Sequence, residues 1–175
     1  GTRYSQQVRI GAQFDLSKLL GTADAGLVQI TVNDRRGHSA SEDLVGNRLP
    51  IQENAGGNFT RLSEFSYQRT LFSEDLTTKL GFMPMGNDFG GLPLLTNFVN
   101  AGFCAHPLTQ SNGSGWTNYP TGHWGGELRY TVSPALTLQT AVFQVNPEYN
   151  SRSSEAFSMT TKGTTGAIMP LEAIF

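Results

Sequence analysis

Gln7-Val8-Arg9-Ile10-Gly11-Ala12-Gln13-Phe14-Asp15-Leu16 changes character at every residue: Val8, Ile10, Ala12, Phe14 and Leu16 are apolar, and the residues between them are polar or small. A period of two puts each set on its own face of an extended strand, whereas a helix would scatter the apolar set around its circumference. The segment from Tyr4 to Leu16 is therefore predicted to be a strand with one dry and one wet face. A short connection through Leu20-Gly21-Thr22-Ala23-Asp24 leads to a second alternating run, Gly26 to Asp34, in which Val28, Ile30 and Val32 interleave with Gln29, Thr31 and Asn33. The two read as a hairpin.

Further along the chain the pattern repeats. Arg36 to Asn58 is polar and glycine-bearing and reads as a long loop. Phe59 to Leu71 is the next strand, and its apolar phase slips between Leu62 and Phe65, as a β-bulge would require. A turn at Phe72-Ser73-Glu74-Asp75 precedes Leu76, Thr78, Leu80 and Phe82, which alternate with Thr77, Lys79 and Gly81. Pro84 to Thr121 holds four prolines and the aromatics Phe89, Phe98, Phe103, Trp116 and Tyr119, and reads as an ordered loop packed against something. His123 to Val132 and Leu136 to Val145 form a third hairpin around Ser133-Pro134-Ala135. A polar loop then runs to about Thr165, and a last strand starts near Gly166.

Every second connection is short. Outer-membrane barrels sort their connections this way, short turns at one end and long loops at the other, with strands of about ten residues apolar on the outside and polar within. The fold class expected is all-β, a transmembrane antiparallel up-and-down β-barrel; a soluble β-sandwich that binds carbohydrate is the alternative, because its strands alternate too.

Composition narrows the function. The 175 residues include 20 glycines, 10% aromatic and only 15% charged residues, and the net charge of −2 is scattered, without the basic stripe that neutralises phosphates. No nucleic-acid partner is expected. Cys104 stands alone, and His38, His106 and His123 lack metal-ligand spacing, so neither a disulfide within the chain nor a metal or other cofactor is expected. No apolar run reaches about eighteen residues, but a barrel hides its apolar residues at alternate positions and is compatible with the mean hydropathy of −0.27. Asp15, Glu64, Asp88 and Glu127 could in principle supply a glycosidase's carboxylate pair. Nucleophile elbow, phosphate loop, dinucleotide fingerprint and zinc motif are all missing, so the chain does not read as an enzyme and no catalytic residue is assigned.

The order of several short motifs resembles the carbohydrate-selective porin (OprB-like) family of Gram-negative outer membranes. Gly81 to Phe89, ending Asn87-Asp88-Phe89, is similar to that family's Gly-Arg…Asp-Phe segment. Asn97-Phe98-Val99-Asn100 and Phe103-Cys104-Ala105-His106-Pro107 resemble its Asn-Phe…Asn…Phe-Cys-Gly-x-Pro. Tyr119-Pro120 with Trp124-Gly125, and Phe143-Gln144-Val145-Asn146-Pro147, resemble the motifs that follow. Weaker similarity reaches upstream through Arg61-Leu62-Ser63-Glu64 and Asp15…Leu19-Leu20-Gly21. Phe82 stands where the family usually has arginine, Ala105 where it has glycine, and Thr96 where many members carry a second cysteine.

The resemblance implies a channel for passive, selective diffusion of small carbohydrates, with outer-membrane lipid around it; the soluble carbohydrate-binding β-sandwich is the main alternative and a general non-selective porin another, and a homo-oligomer is left open. It implies a barrel of sixteen strands, of which residues 1–175 would form one partial-barrel domain of about seven, so the chain reads as a fragment and its start at Gly1 as the result of truncation or processing. The terminal Phe175 is then a coincidental likeness to the last residue of complete barrels. Residues 84–121 are expected to fold into the pore. Alternation places Arg9, Gln13, Asp15, Gln29, Lys79, Glu127, Arg129 and Gln139 on the lumen side, and motif position adds Arg61 and Glu64. The sugar-contacting candidates are Arg61, Glu64, Lys79, Asp88, Trp116, Glu127 and Arg129, each of which is also readable as a solvated wall residue or, for Trp116, as loop packing.

Overall fold

The computed structural model describes residues 1–175 except 48–49, 53–56, 73, 101, 104–105, 107–114 and 152–156. Cys104 and Ala105, two positions of note in the sequence, lie outside the described residues. Strands β1 (Ser5–Asp15), β2 (Leu27–Gly37), β3 (Phe59–Leu71), β4 (Leu76–Met83), β5 (His123–Ser133), β6 (Leu136–Val145), β7 (Gly166–Ile168) and β8 (Leu171–Ile174) make one antiparallel sheet. Strands β1 to β6 pair in sequence order, and both β7 and β8 pair with β6. Among the described residues it is an up-and-down meander in a single layer, without the second facing sheet of a sandwich. No helix among the described residues is long and apolar enough to cross a membrane.

The described residues form eight strands where sequence alternation gives about seven, and the reason is one residue. Strands β7 and β8 pair with β6 in one continuous register, Phe143 opposite Ile168 and Gln139 opposite Glu172. Pro170 falls between them and has no N–H to give the ladder, although its carbonyl still accepts from the Ala141 N–H at 3.3 Å. The last strand is a single run broken at Pro170.

The bulge foreseen in the third strand is present. Thr31 pairs with Glu64 and Val32 with Leu62, which leaves Ser63 as the extra residue. Because of it Arg61, Ser63, Glu64 and Ser66 are all buried on one side, while Leu62 and Phe65, three positions apart, share the other. A small element was not foreseen: Leu16–Leu20 forms helix α1, started by the Asp15 carboxylate accepting from the Lys18 N–H at 3.2 Å and stopped by Gly21 in the left-handed conformation. Asp15, placed on the wet face by alternation, uses its carboxylate in this cap and in an ion pair with Lys18 at 3.1 Å.

The two faces of the sheet have the polarity of a water-soluble protein turned inside out. On one face Ile10, Leu80 and Leu171 are 71%, 58% and 83% exposed, with Val8, Phe14, Phe65, Leu128, Tyr130 and Val142 beside them. On the opposite face Thr31, Asn33, Arg35, Arg61, Glu64, Glu127 and Gln139 are buried. An apolar face of this extent is too large for a monomer in water and matches a hydrocarbon surround.

The polar face is covered by the chain that follows β4. Met85 and Phe89 from this segment form an apolar cluster with Met83, Ala141 and Phe143, and Trp116 and Ile168 pack against it. Phe89 meets Phe143 edge to face, centroids 6.4 Å apart. Glycine makes the room. Gly125 is paired with both Gly81 and Phe143 in neighbouring strands, and a Cβ at Gly125 would lie 2.2 Å from the Phe143 ring. The Phe143 ring therefore lies over bare backbone, and the covering segment reaches the wall. Gly125→Ala is expected to lower stability by about 1–3 kcal/mol through displacement of that ring, read as an earlier unfolding transition in detergent; a transition at the parent temperature would mean that the ring has another place to go.

Candidate functional site on the polar face

Strand alternation, the bulge and the covering segment together concentrate the charged residues. Glu64, almost fully buried, accepts from Gln29 Nε2 at 3.0 Å and from the Ser66 hydroxyl at 2.8 Å, and pairs with Lys79 Nζ at 3.1 Å. The same ammonium pairs with Asp88 Oδ2 at 2.7 Å. Lys79 thus bridges the wall and the covering segment. Directly opposite Lys79 in the ladder stands Glu127, buried, with its Oε1 lacking a hydrogen-bond partner among the described residues. Arg129, two residues along the same face, donates from Nε to Gln139 Oε1 at 2.8 Å. Gln139 in turn donates to the Asp88 carbonyl at 2.7 Å and to Glu172 Oε2 at 2.6 Å.

A second, cationic group lies on the same face. The guanidiniums of Arg9 and Arg35 stand 4.9 and 5.9 Å from the Tyr119 ring centroid. Arg61 lies 4.0 Å from the Phe59 ring and donates to the Thr121 hydroxyl at 2.9 Å. Arg35 also donates to Gln7 Oε1 at 2.6 Å. The end of the 84–121 segment therefore meets the arginines, and its beginning, through Asp88, meets Lys79 and Gln139.

Of the sequence candidates, Glu64, Lys79, Asp88, Glu127 and Arg129 come together in or beside one network, and Arg61 lies in the arginine group. Trp116 is half-buried: its ring packs on the Met85 and Phe89 cluster and stands edge-on to His106 at 5.9 Å. Phe82, where the family usually has arginine, carries the phase of Leu76 and Leu80 and packs edge-on with Trp124 and Tyr149 at 6.0 and 5.4 Å.

Three residues of this face were not among the candidates. Arg35 lies one residue past the predicted end of its strand; continuing the alternation of Gln29, Thr31 and Asn33 would have found it. Tyr119 belongs to the Tyr-Pro motif in an irregular stretch, where no alternation gives a side chain its facing. Glu172 sits beyond Pro170, in a stretch too short to show a strand phase of its own.

Chemically the face is a wall of fixed donors and acceptors of both signs, and no group of three or more metal-ligating side chains exists among the described residues. A single antiparallel layer, apolar outside, charged within and covered on the charged side by its own longest connection, is the wall of a porin-type barrel.

The comparisons with known proteins agree. The chain belongs to the carbohydrate-selective porin, OprB family, whose profile matches residues 1–174. Porin B of Pseudomonas aeruginosa is 32% identical over 179 residues, which span 99% of this chain and 38% of that protein. The high-pH structure of Pseudomonas putida OprB superimposes with a TM-score of 0.89 at 31% identity, over 98% of this chain and 41% of that one. The low-pH structure of the same protein matches with a TM-score of 0.54 at 24% identity, a likeness of fold alone. The chain thus spans about two fifths of the length of the relatives it matches.

Proposed function

We propose that the complete protein is a channel in the outer membrane of a Gram-negative cell for passive, selective diffusion of small carbohydrates, and that the charged face described here lines it. The observation that carries this reading is the Glu64–Lys79–Asp88 bridge, at 3.1 and 2.7 Å, which ties the segment after β4 to the polar wall. Residues 84–121 then narrow the pore, and Arg61, Glu64, Lys79, Asp88, Trp116, Glu127 and Arg129 border the solute path. A neutral sugar must exchange water for other partners at each hydroxyl, and carboxylates, amides and guanidiniums supply acceptors and donors in fixed directions. Mixed signs on one wall produce little net field for a simple ion to follow. Permeation further requires that binding be weak, which suits contacts shared along a wall better than a closed pocket.

The test is the double substitution Glu127→Gln with Arg129→Gln in the complete protein. Sugar uptake into liposomes should slow several-fold while salt conductance changes far less, because the loss falls on hydroxyl-binding groups and the two charges removed are opposite. Unchanged sugar flux through a stably folded double variant would take both residues out of the solute path.

A further inference from the structure

The strand beyond Pro170 carries a residue with an arrangement that wall solvation does not explain. Glu172 is in register with Gln139 of β6 and points to the charged face. Both of its carboxylate oxygens lie within reach of the Gly90 N–H, at 3.3 and 3.2 Å, and Oε2 also accepts from Gln139 Nε2 at 2.6 Å. Gly90 follows directly on Asp88-Phe89 and is in the left-handed conformation, φ +65°. Gln139 is nearly fully buried, and its Nε2 divides itself between Glu172 and the Asp88 carbonyl while Arg129 holds its Oε1. The backbone of residues 88–90 is therefore gripped on its far side by Glu172 and Gln139, as the Asp88 side chain is gripped on the near side by Lys79.

We infer that Glu172 is a positioning residue for the constriction: it holds the turn at Asp88-Phe89-Gly90 against the wall and thereby fixes how far the inward segment intrudes on the pore. The inference rests on the proposed channel reading. A carboxylate is suited to the task because its oxygens are acceptors only and bind a backbone N–H and an amide N–H at once, with the strength of charge-assisted bonds. With Glu172 removed, Gly90 N–H and one hydrogen of Gln139 lose their acceptor, and the polar ties that remain, Lys79 to the Asp88 carboxylate and Gln139 to the Asp88 carbonyl, both hold Asp88 and leave Gly90 unheld. The Gly90 end of the turn then swings about Asp88, and its position becomes variable. Neither effect requires Glu172 to touch the solute.

The experiment uses the complete protein carrying Glu172→Ala, Glu172→Gln or Glu172→Asp, with Leu171→Ala on the apolar face as control. Liposome swelling with mono-, di- and trisaccharides reads the size cut-off, and heat-dependent gel migration reads folding. Glu172→Ala should let the trisaccharide in several-fold faster than the parent and add open-channel current noise, with the monosaccharide rate changed far less. Glu172→Gln keeps one acceptor oxygen for Gly90 and should retain the parent's cut-off. Glu172→Asp, one methylene too short to span both partners, should fall between them, and it carries the test if the alanine variant fails to fold. A parental cut-off in the folded Ala or Asp variant would overturn the inference, as would equal changes in Ala and Gln, which would mark lost charge rather than lost position. Failure of the channel reading itself looks different: the parent would then admit no sugar at all.

Discussion

Arginine at Ile10 is expected to destabilise the folded barrel by about 2–4 kcal/mol, the cost of a cationic side chain on the lipid face near mid-membrane. Ile10 is the central residue of β1, stands opposite Val32 and is 71% exposed on the apolar face. Arginine at Gln13 should have no comparable effect. Gln13 pairs with Gln29, whose amide already bonds Glu64 on the charged face, so a guanidinium there enters a wet, polar surface. The contrast is measured by unfolding in detergent or lipid. Equal losses at the two positions would sink the assignment of the faces, and with it the placing of the charged residues along the pore.

The second large effect concerns residues 86–117, replaced by a short Gly-Ser bridge in the complete protein. This removes Asp88, Phe89 and Trp116 together, leaving the strands of the wall in place. Single-channel conductance should rise severalfold and the size cut-off should be lost, because the chain that covers the charged face would be gone. Met85 and Phe89 show why the segment lies where it does: both are buried against Phe143, and their exposure to water would cost about 1.5–3 kcal/mol each. Parental conductance from the folded deletion variant would make the segment a surface cap with no part in the constriction.

How much of this was legible in the sequence depended on the kind of order involved. The alternation from Gln7 to Leu16 and from Gly26 to Asp34 found the first hairpin, because a strand buried on one face writes its facing into every second residue. The slip between Leu62 and Phe65 located the bulge at Ser63 for the same reason. Helix α1 was missed, since five residues leave no helical periodicity and its signal is only the cap at Asp15 and the stop at Gly21. Charged residues on regular strands were assigned correctly to the polar face, but their partners were not, because the Lys79 bridge joins a strand to an irregular segment whose path no period describes. Glu172 was lost to Pro170, which interrupts the hydrogen-bond ladder without changing its register.

The family motifs also acquire physical content. Asn87-Asp88-Phe89 supplies the carboxylate that Lys79 binds and the ring that meets Phe143. The glycine of Trp124-Gly125 leaves the space that this ring partner occupies. Asn146 of the Asn-Pro pair is fully buried and ties the next loop by donating to the Lys162 carbonyl at 2.9 Å, while its own oxygen accepts from the Glu148 N–H at 3.2 Å.

If the complete protein passes small sugars through a pore lined by this charged face, their entry should depend steeply on solute size. Liposome swelling with a panel of neutral sugars and simple salts, using the complete protein in lipid, tests it most directly. Monosaccharides should enter fast, with a steep fall in rate as solute size grows and little preference between anions and cations. Absence of sugar-dependent swelling from a correctly folded, membrane-inserted barrel would contradict it.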